Sequence, residues 1–171
     1  MTKALEEVHR EVLRRVTPGF EERNRILKLA EDLRQKVARA AEQEELAAMV
    51  RVEGSVAKDT WLSGEPDIDI FMCVPAALPR ETFGTTCLKA ARRATQGFKQ
   101  VERFAEHPYL EATVDGVRVN IVPCYRVERG KWRSATDRTP FHTDYMKPLL
   151  DERLSGEVRL LKKFMKGVGV Y

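Results

Sequence analysis

The sequence predicts an α+β fold: a small mixed β-sheet with N-terminal helices and a C-terminal helical segment. Three observations predict it. Apolar residues recur at helical spacing up to residue 41, alternate in short runs between 49 and 123, and return to helical spacing after 141.

Leu5, Val8, Val12 and Val16 mark a first amphipathic helix, interrupted by Thr17-Pro18-Gly19. Pro18 can sit near the start of the next helix, where its missing N–H costs nothing. Ile26, Leu29, Ala30, Leu33, Val37 and Ala41 define that helix, and its charged opposite face reads as solvated. "MVRVEGS" at 49–55 is a strand entering a turn, and "DIDIFMCV" is a second strand. After the "PAALP" loop, residues 80–95 read as a helix with Phe83, Cys87, Leu88 and Ala91 inward. "FKQVERFA" is a strand. "YLEATVDGVRVNIVP" is a hairpin whose Asp115-Gly116 suits a two-residue turn. Helical segments follow at 141–153 and 156–167, with Ser155 placed to cap the second.

At 171 residues the chain holds one domain, or one domain and the start of another. With 43% hydrophobic and 33% charged residues it is a folded, soluble type of sequence rather than a disordered one. The net charge of +4 permits an RNA partner without demanding one. No apolar run reaches the roughly 18 residues of a membrane helix, and the N-terminus lacks a signal-peptide core. Cys73, Cys87 and Cys124 form no C-x-x-C pair, and His9, His107 and His142 are scattered, so no zinc site is expected. Reduced, packed thiols in a cytoplasmic protein are the natural reading.

The chemistry concentrates in "GEPDIDIFMCV". Asp67 and Asp69 lie one residue apart on a strand, so both carboxylates face one way while Ile68 and Ile70 face the core. Two like charges this close repel unless a cation lies between them. Gly54-Ser55 precedes them by eleven residues. A turn there exposes backbone N–H groups, and Ser55 adds a hydroxyl, so together they suit a phosphate. Mg²⁺ prefers oxygen ligands and bridges carboxylates to substrate phosphates. A phosphate cradle with a carboxylate pair is the equipment of two-metal nucleotidyl transfer, whereas a D-x-D alone is only an acidic strand end.

"GSVAKDTWLSGEPDIDIF", "AEHPYLEATVDGVRVNIVPCY", "DRTPFH" and "EVRLLKKFMKGVGVY" resemble, in order, the archaeal (class I) CCA-adding tRNA nucleotidyltransferases of the polymerase-β-like superfamily. The resemblance implies a palm-like nucleotidyltransferase domain over residues 1–139 and the beginning of a helical neck over 140–171. Family members are much longer and commonly dimerise through later domains. It implies CTP, ATP and the 3′ end of tRNA as substrates, with Mg²⁺ as cofactor. Asp67 and Asp69 match two metal carboxylates, Ser55 a triphosphate contact, and Lys58 a basic residue of the same loop. Lys162 and Tyr171 match a pair that reaches the triphosphate from the neck. His107, Thr139 and His142 match positions lining the nucleotide pocket. Read alone, Lys162 belongs to a solvated face with Lys163 and Lys166, and the two histidines could be hydrogen-bonded structural residues. Trp61 reads as packing.

The family's third carboxylate falls at Asn120, in "VRVNIVPCY". Asn keeps the shape and one carbonyl oxygen but removes the negative charge and the basic oxygen. Binding with slow chemistry is expected. Pairing outward from Asp115-Gly116 sets Glu111 directly across from Asn120, where its longer side chain could reach a metal or simply lie at the surface. Two other readings stay open: a nucleotide- or RNA-end-binding module without catalysis, and another nucleotidyltransferase of the superfamily, of antitoxin or poly(A) type.

Overall fold

The computed structural model describes residues 3–170, so Tyr171 lies outside the described residues. Two helices, α1 (Lys3–Val16) and α2 (Phe20–Gln43), precede β1 (Met49–Glu53), a single helical turn α3 (Gly54–Ala57) and β2 (Asp67–Pro75). Then come α4 (Arg80–Ala94), β3 (Lys99–Phe104), β4 (Pro108–Val114), β5 (Val117–Arg126), α5 (Thr139–Met146) and α6 (Glu152–Gly167).

The five strands form one mixed sheet in the order β1-β2-β5-β4-β3. Only β2 and β5 are parallel; the other neighbours run antiparallel. The period of two in β2 divides the sheet. Ile68, Ile70, Met72 and Val74 point into a core closed by Ile26, Leu33 and Val37 of α2 and by Phe83, Cys87 and Ala91 of α4. Each of those β2 side chains is fully buried, and removing one would cost about 2–5 kcal/mol. The opposite face carries Asp67, Asp69 and Phe71 from β2 beside Arg118, Asn120 and Val122 from β5. The β4–β5 hairpin turns at Asp115 and Gly116, both at positive φ (50° and 77°), as a two-residue turn requires. Val114 pairs with Val117, and Glu111 with Asn120. All three cysteines are free and buried.

Three expectations are corrected. α6 begins at Glu152, because Asp151 rather than Ser155 caps it, accepting from the Leu154 N–H at 2.7 Å. Ser155 is buried one turn inside the helix. The preceding segment is α5 and a short 3-10 turn over Lys147–Leu149 rather than one helix over 141–153. Leu5 and Val8 of α1 are 52% and 59% exposed, and of the expected apolar stripe only Val16 is buried.

One contact sets the position of α6. Arg159 is 2% exposed and donates to the carbonyl of Trp61 (3.0 Å), the carbonyl of Asp59 (2.6 Å) and the Asp59 carboxylate (2.8 Å). Burial draws its pKa down, yet three acceptors hold the guanidinium in place. Through it, α6 is tied to the loop that runs from α3 to β2. Trp61 itself is buried packing, as its sequence context suggested.

Candidate active site

The parallel pairing of β2 with β5 puts Asp67 beside Arg118 and Asp69 beside Asn120, all on the face away from the helices. β1 ends opposite: Glu53 pairs with Asp69, and Gly54 turns the chain immediately after it. Gly54 has φ +69°, and a Cβ there would lie 2.0 Å from the Asp69 carboxylate. Glycine is needed both for the left-handed backbone and for this close approach.

A cavity of about 410 Å³ opens over the acid pair. Asp67, Asp69 and Asn120 form its floor, Ser55, Lys58 and Thr60 one wall, and His142 and Lys162 the roof, with apolar Met146, Leu150 and Val158 between. Lys162 donates to the Thr60 carbonyl at 2.9 Å, which aims an ammonium from α6 across the cavity. Burial, reinforced by Lys58, Arg159 and Lys166, draws its pKa down. The Lys58 ammonium lies 3.5 Å from Nδ1 of His142. The arrangement sets carboxylates on one side and cations on the other, with room between for a polyanion and its metal counter-ion.

Asn120 donates its side-chain amide to Asp69 at 2.9 Å. Burial raises the Asp69 pKa above the usual carboxylate range, and the Asn120 bond and nearby Lys58 only partly oppose that. Arg118 grips both oxygens of Asp67, with Nε at 2.8 Å from one and Nη2 on the other.

A second cavity of about 350 Å³ meets the first at Asp69 and Asn120. Gly54, Phe71, Tyr109, Val122 and Thr139 complete it. Thr139 therefore faces this second space rather than the Lys162 side. His107 lines neither cavity. It is 8% exposed and packs edge-on against Phe83 at 5.0 Å, the packing role its residue type allows. Glu111 lies across the ladder from Asn120 but binds Arg103 at 3.0 Å and lines neither space.

Residues 16–142 match the family model described as a nucleotidyltransferase domain. The chain belongs to this nucleotidyltransferase family. It is 42% identical over 175 residues to a CCA-adding enzyme of Halobacterium salinarum, covering all of this chain and 37% of that protein. A CCA-adding enzyme of Methanosarcina barkeri is 42% identical over 172 residues, covering 97% of this chain and 37% of its own length. One from Saccharolobus islandicus is 39% identical over 165 residues, covering 96% and 38%. The chain thus spans little more than a third of these relatives. Among solved structures, a cytoplasmic RNA terminal U-transferase superposes with a TM-score of 0.69 at 17% identity, covering 96% of this chain and 46% of that one. The E. coli CdnC structure with ATP gives 0.67 at 20% identity, covering 93% and 58%. Both share the fold.

The donor set over Asp67 and Asp69 fits a divalent cation shared with a phosphate ligand. The donors are the oxygens of Asp67 and Asp69, and a hard cation held by one or two carboxylates takes its remaining ligands from water and phosphate. Among the described residues no cluster of three His, Cys, Asp or Glu could hold a metal by itself. Nor is any described helix long and apolar enough to cross a membrane.

Sequence reasoning passed over Glu53, whose signal was its place just before Gly54-Ser55. It is fully buried, with Nε of Arg51 2.7 Å from one carboxyl oxygen. Burial outweighs Thr143 and Arg51 and raises the Glu53 pKa above its ordinary 4.5. A carboxyl whose folded pKa is raised favours the fold only when protonated, so its ionisation costs stability as pH climbs above about 4.5. Glu53→Gln should therefore raise Tm by about 3 °C at pH 8, corresponding to about 1 kcal/mol, and by less at pH 5. Thermal melts at both pH values check this, and an equal loss at both would show that the Arg51 attraction dominates.

Proposed function

We propose that this nucleotidyltransferase adds CMP and AMP from CTP and ATP to the 3′ end of tRNA, with Mg²⁺ as cofactor, and that Asn120 slows the transfer. The observation that carries this reading is the cavity in which Asp67 and Asp69 face Ser55, Lys58 and Lys162. The family membership and the 39–42% identity to CCA-adding enzymes support the substrate assignment.

In this reading Asp67 and Asp69 would hold the divalent ion, which would supply charge to neutralise the phosphates and to acidify the acceptor hydroxyl. Ser55 and Lys58 orient the triphosphate from one side and Lys162 from α6, with His142 beside Lys58 near the nucleoside. The second cavity, on the Tyr109 and Thr139 side of Asp69 and Asn120, seats the acceptor end, so that its hydroxyl meets the α-phosphate above β2 and β5. Asn120 offers no basic oxygen for the hydroxyl proton and no charge for the ion. The overall step is attack of the 3′ oxygen on the α-phosphate with pyrophosphate leaving.

A second reading, nucleotide binding without transfer, draws on the Asn120–Asp69 bond, which occupies an oxygen that a metal would need. The test is extension of a tRNA acceptor-stem minihelix with labelled CTP, ATP, UTP or GTP, with and without Mg²⁺, alongside equilibrium binding of each nucleotide. Slow Mg²⁺-dependent extension with CTP and ATP alone is expected. Tight binding without product would favour the second reading, and equal use of UTP would point to a different nucleotidyltransferase.

A further inference from the structure

The acid pair is already partnered by the neighbouring strand. Arg118 is the residue of β5 that pairs in register with Asp67, and its fork takes both Asp67 oxygens. Two residues on, Asn120 takes one oxygen of Asp69. The other oxygen of Asp69 lies hard against Gly54. Three of the four carboxylate oxygens thus carry N–H donors from one strand. A bidentate guanidinium occupies the same lone pairs that a hard cation would use. On the other side its β4 partner is Thr113, and the Glu111 carboxylate, which also attracts Arg118, is hydrogen-bonded to Arg103.

We propose that Arg118 is a built-in counter-cation that competes with the divalent ion for Asp67 and so sets the metal affinity of the site. The proposal rests on the reading above only in taking the acid pair as the metal site. It makes the pair a replaceable one. The Arg118 and Asp67 side chains are 56% and 39% exposed, and an ion pair at that exposure is weak and screened by salt. It holds Asp67 in place against the repulsion of Asp69 while no metal is bound, and yields when a nucleotide brings its metal. Free metal alone meets the competition in full; a metal carried on a triphosphate meets less of it, because the phosphates and the Lys58 and Lys162 ammonium groups share the binding. The site would thereby favour the metal–nucleotide complex over the bare ion.

The test is a Mn²⁺ titration of the whole chain without nucleotide, followed by the electron paramagnetic resonance signal of free Mn²⁺. Arg118→Gln and Asp67→Asn would be measured beside the original protein, with circular dichroism to show each is folded. Arg118→Gln should tighten Mn²⁺ binding about fivefold, in line with losing one exposed ion pair as competitor. The gap between the two proteins should narrow as salt rises. Unchanged or weaker binding in Arg118→Gln, with Asp67→Asn clearly weakened, would overturn the role of Arg118 while leaving the acid pair as the metal site. Mn²⁺ binding unaffected by Asp67→Asn would overturn both.

Discussion

Asn120→Asp should raise nucleotidyl transfer on the minihelix by about 10²-fold, corresponding to about 2.7 kcal/mol of barrier. The geometry needs no other change. Asn120 is already the β5 residue beside Asp69, on the floor of the cavity, where the two cavities meet. An aspartate there supplies a third charge for the ion and a basic oxygen near the acceptor hydroxyl. It also forfeits the Asn120–Asp69 hydrogen bond and sets two carboxylates in its place. Without metal, the variant should therefore lose about 2 kcal/mol of stability, since a hydrogen bond to a charged group becomes a repulsion. Divalent metal should restore it. Extension assays and thermal melts with and without Mg²⁺ measure the two effects separately. A variant that gains stability with metal but no activity would place the limitation in acceptor binding. One that gains neither would remove Asn120 from the site.

Much of this site was legible as periodicity. The alternation in "DIDIFMCV" put both aspartates on one face, and the Asp115-Gly116 turn gave the register that sets Glu111 against Asn120. Both follow from local backbone rules, which act within a few residues. What stayed hidden depends on contacts distant in sequence. Thr139 lines the second cavity with Gly54, Phe71, Tyr109 and Val122, residues far from it in sequence, and no local signal states that. His107 packs edge-on against Phe83, a contact 24 positions away that no local pattern announces. The start of α6 was misread because Ser155 suits a cap locally, whereas Arg159 anchors the helix to residues almost a hundred positions earlier. Arg118 was readable in principle. It is outward-facing at the same period as Asn120, but its partner emerges only once β2 and β5 are known to be parallel neighbours.

Gly54→Ala should abolish measurable transfer while leaving the chain folded. Two costs fall at one atom. The backbone at φ +69° is the left-handed region, where a Cβ costs about 1–2 kcal/mol. That Cβ would also lie 2.0 Å from one oxygen of Asp69 and 2.9 Å from its carboxyl carbon. No side chain survives such a contact in place, so the carboxylate must rotate out of the floor or the Gly54 turn must shift and carry Ser55 with it. Either outcome separates the metal ligand from the phosphate cradle, and a displacement of about 1 Å is enough to lower a rate about 10²-fold. Measured in the Asn120→Asp background, where transfer is fast enough to follow, the loss should be at least that large. A double-mutant cycle identifies the cause. If the clash with the Asp69 carboxylate dominates, Gly54→Ala should cost less stability in an Asp69→Ala protein than in its parent, leaving the backbone term and a 3.2 Å approach to the Cβ of residue 69. Equal costs in both backgrounds would assign the whole effect to the φ of residue 54. In that case the close approach of β1 to Asp69 would carry no part of the site's design.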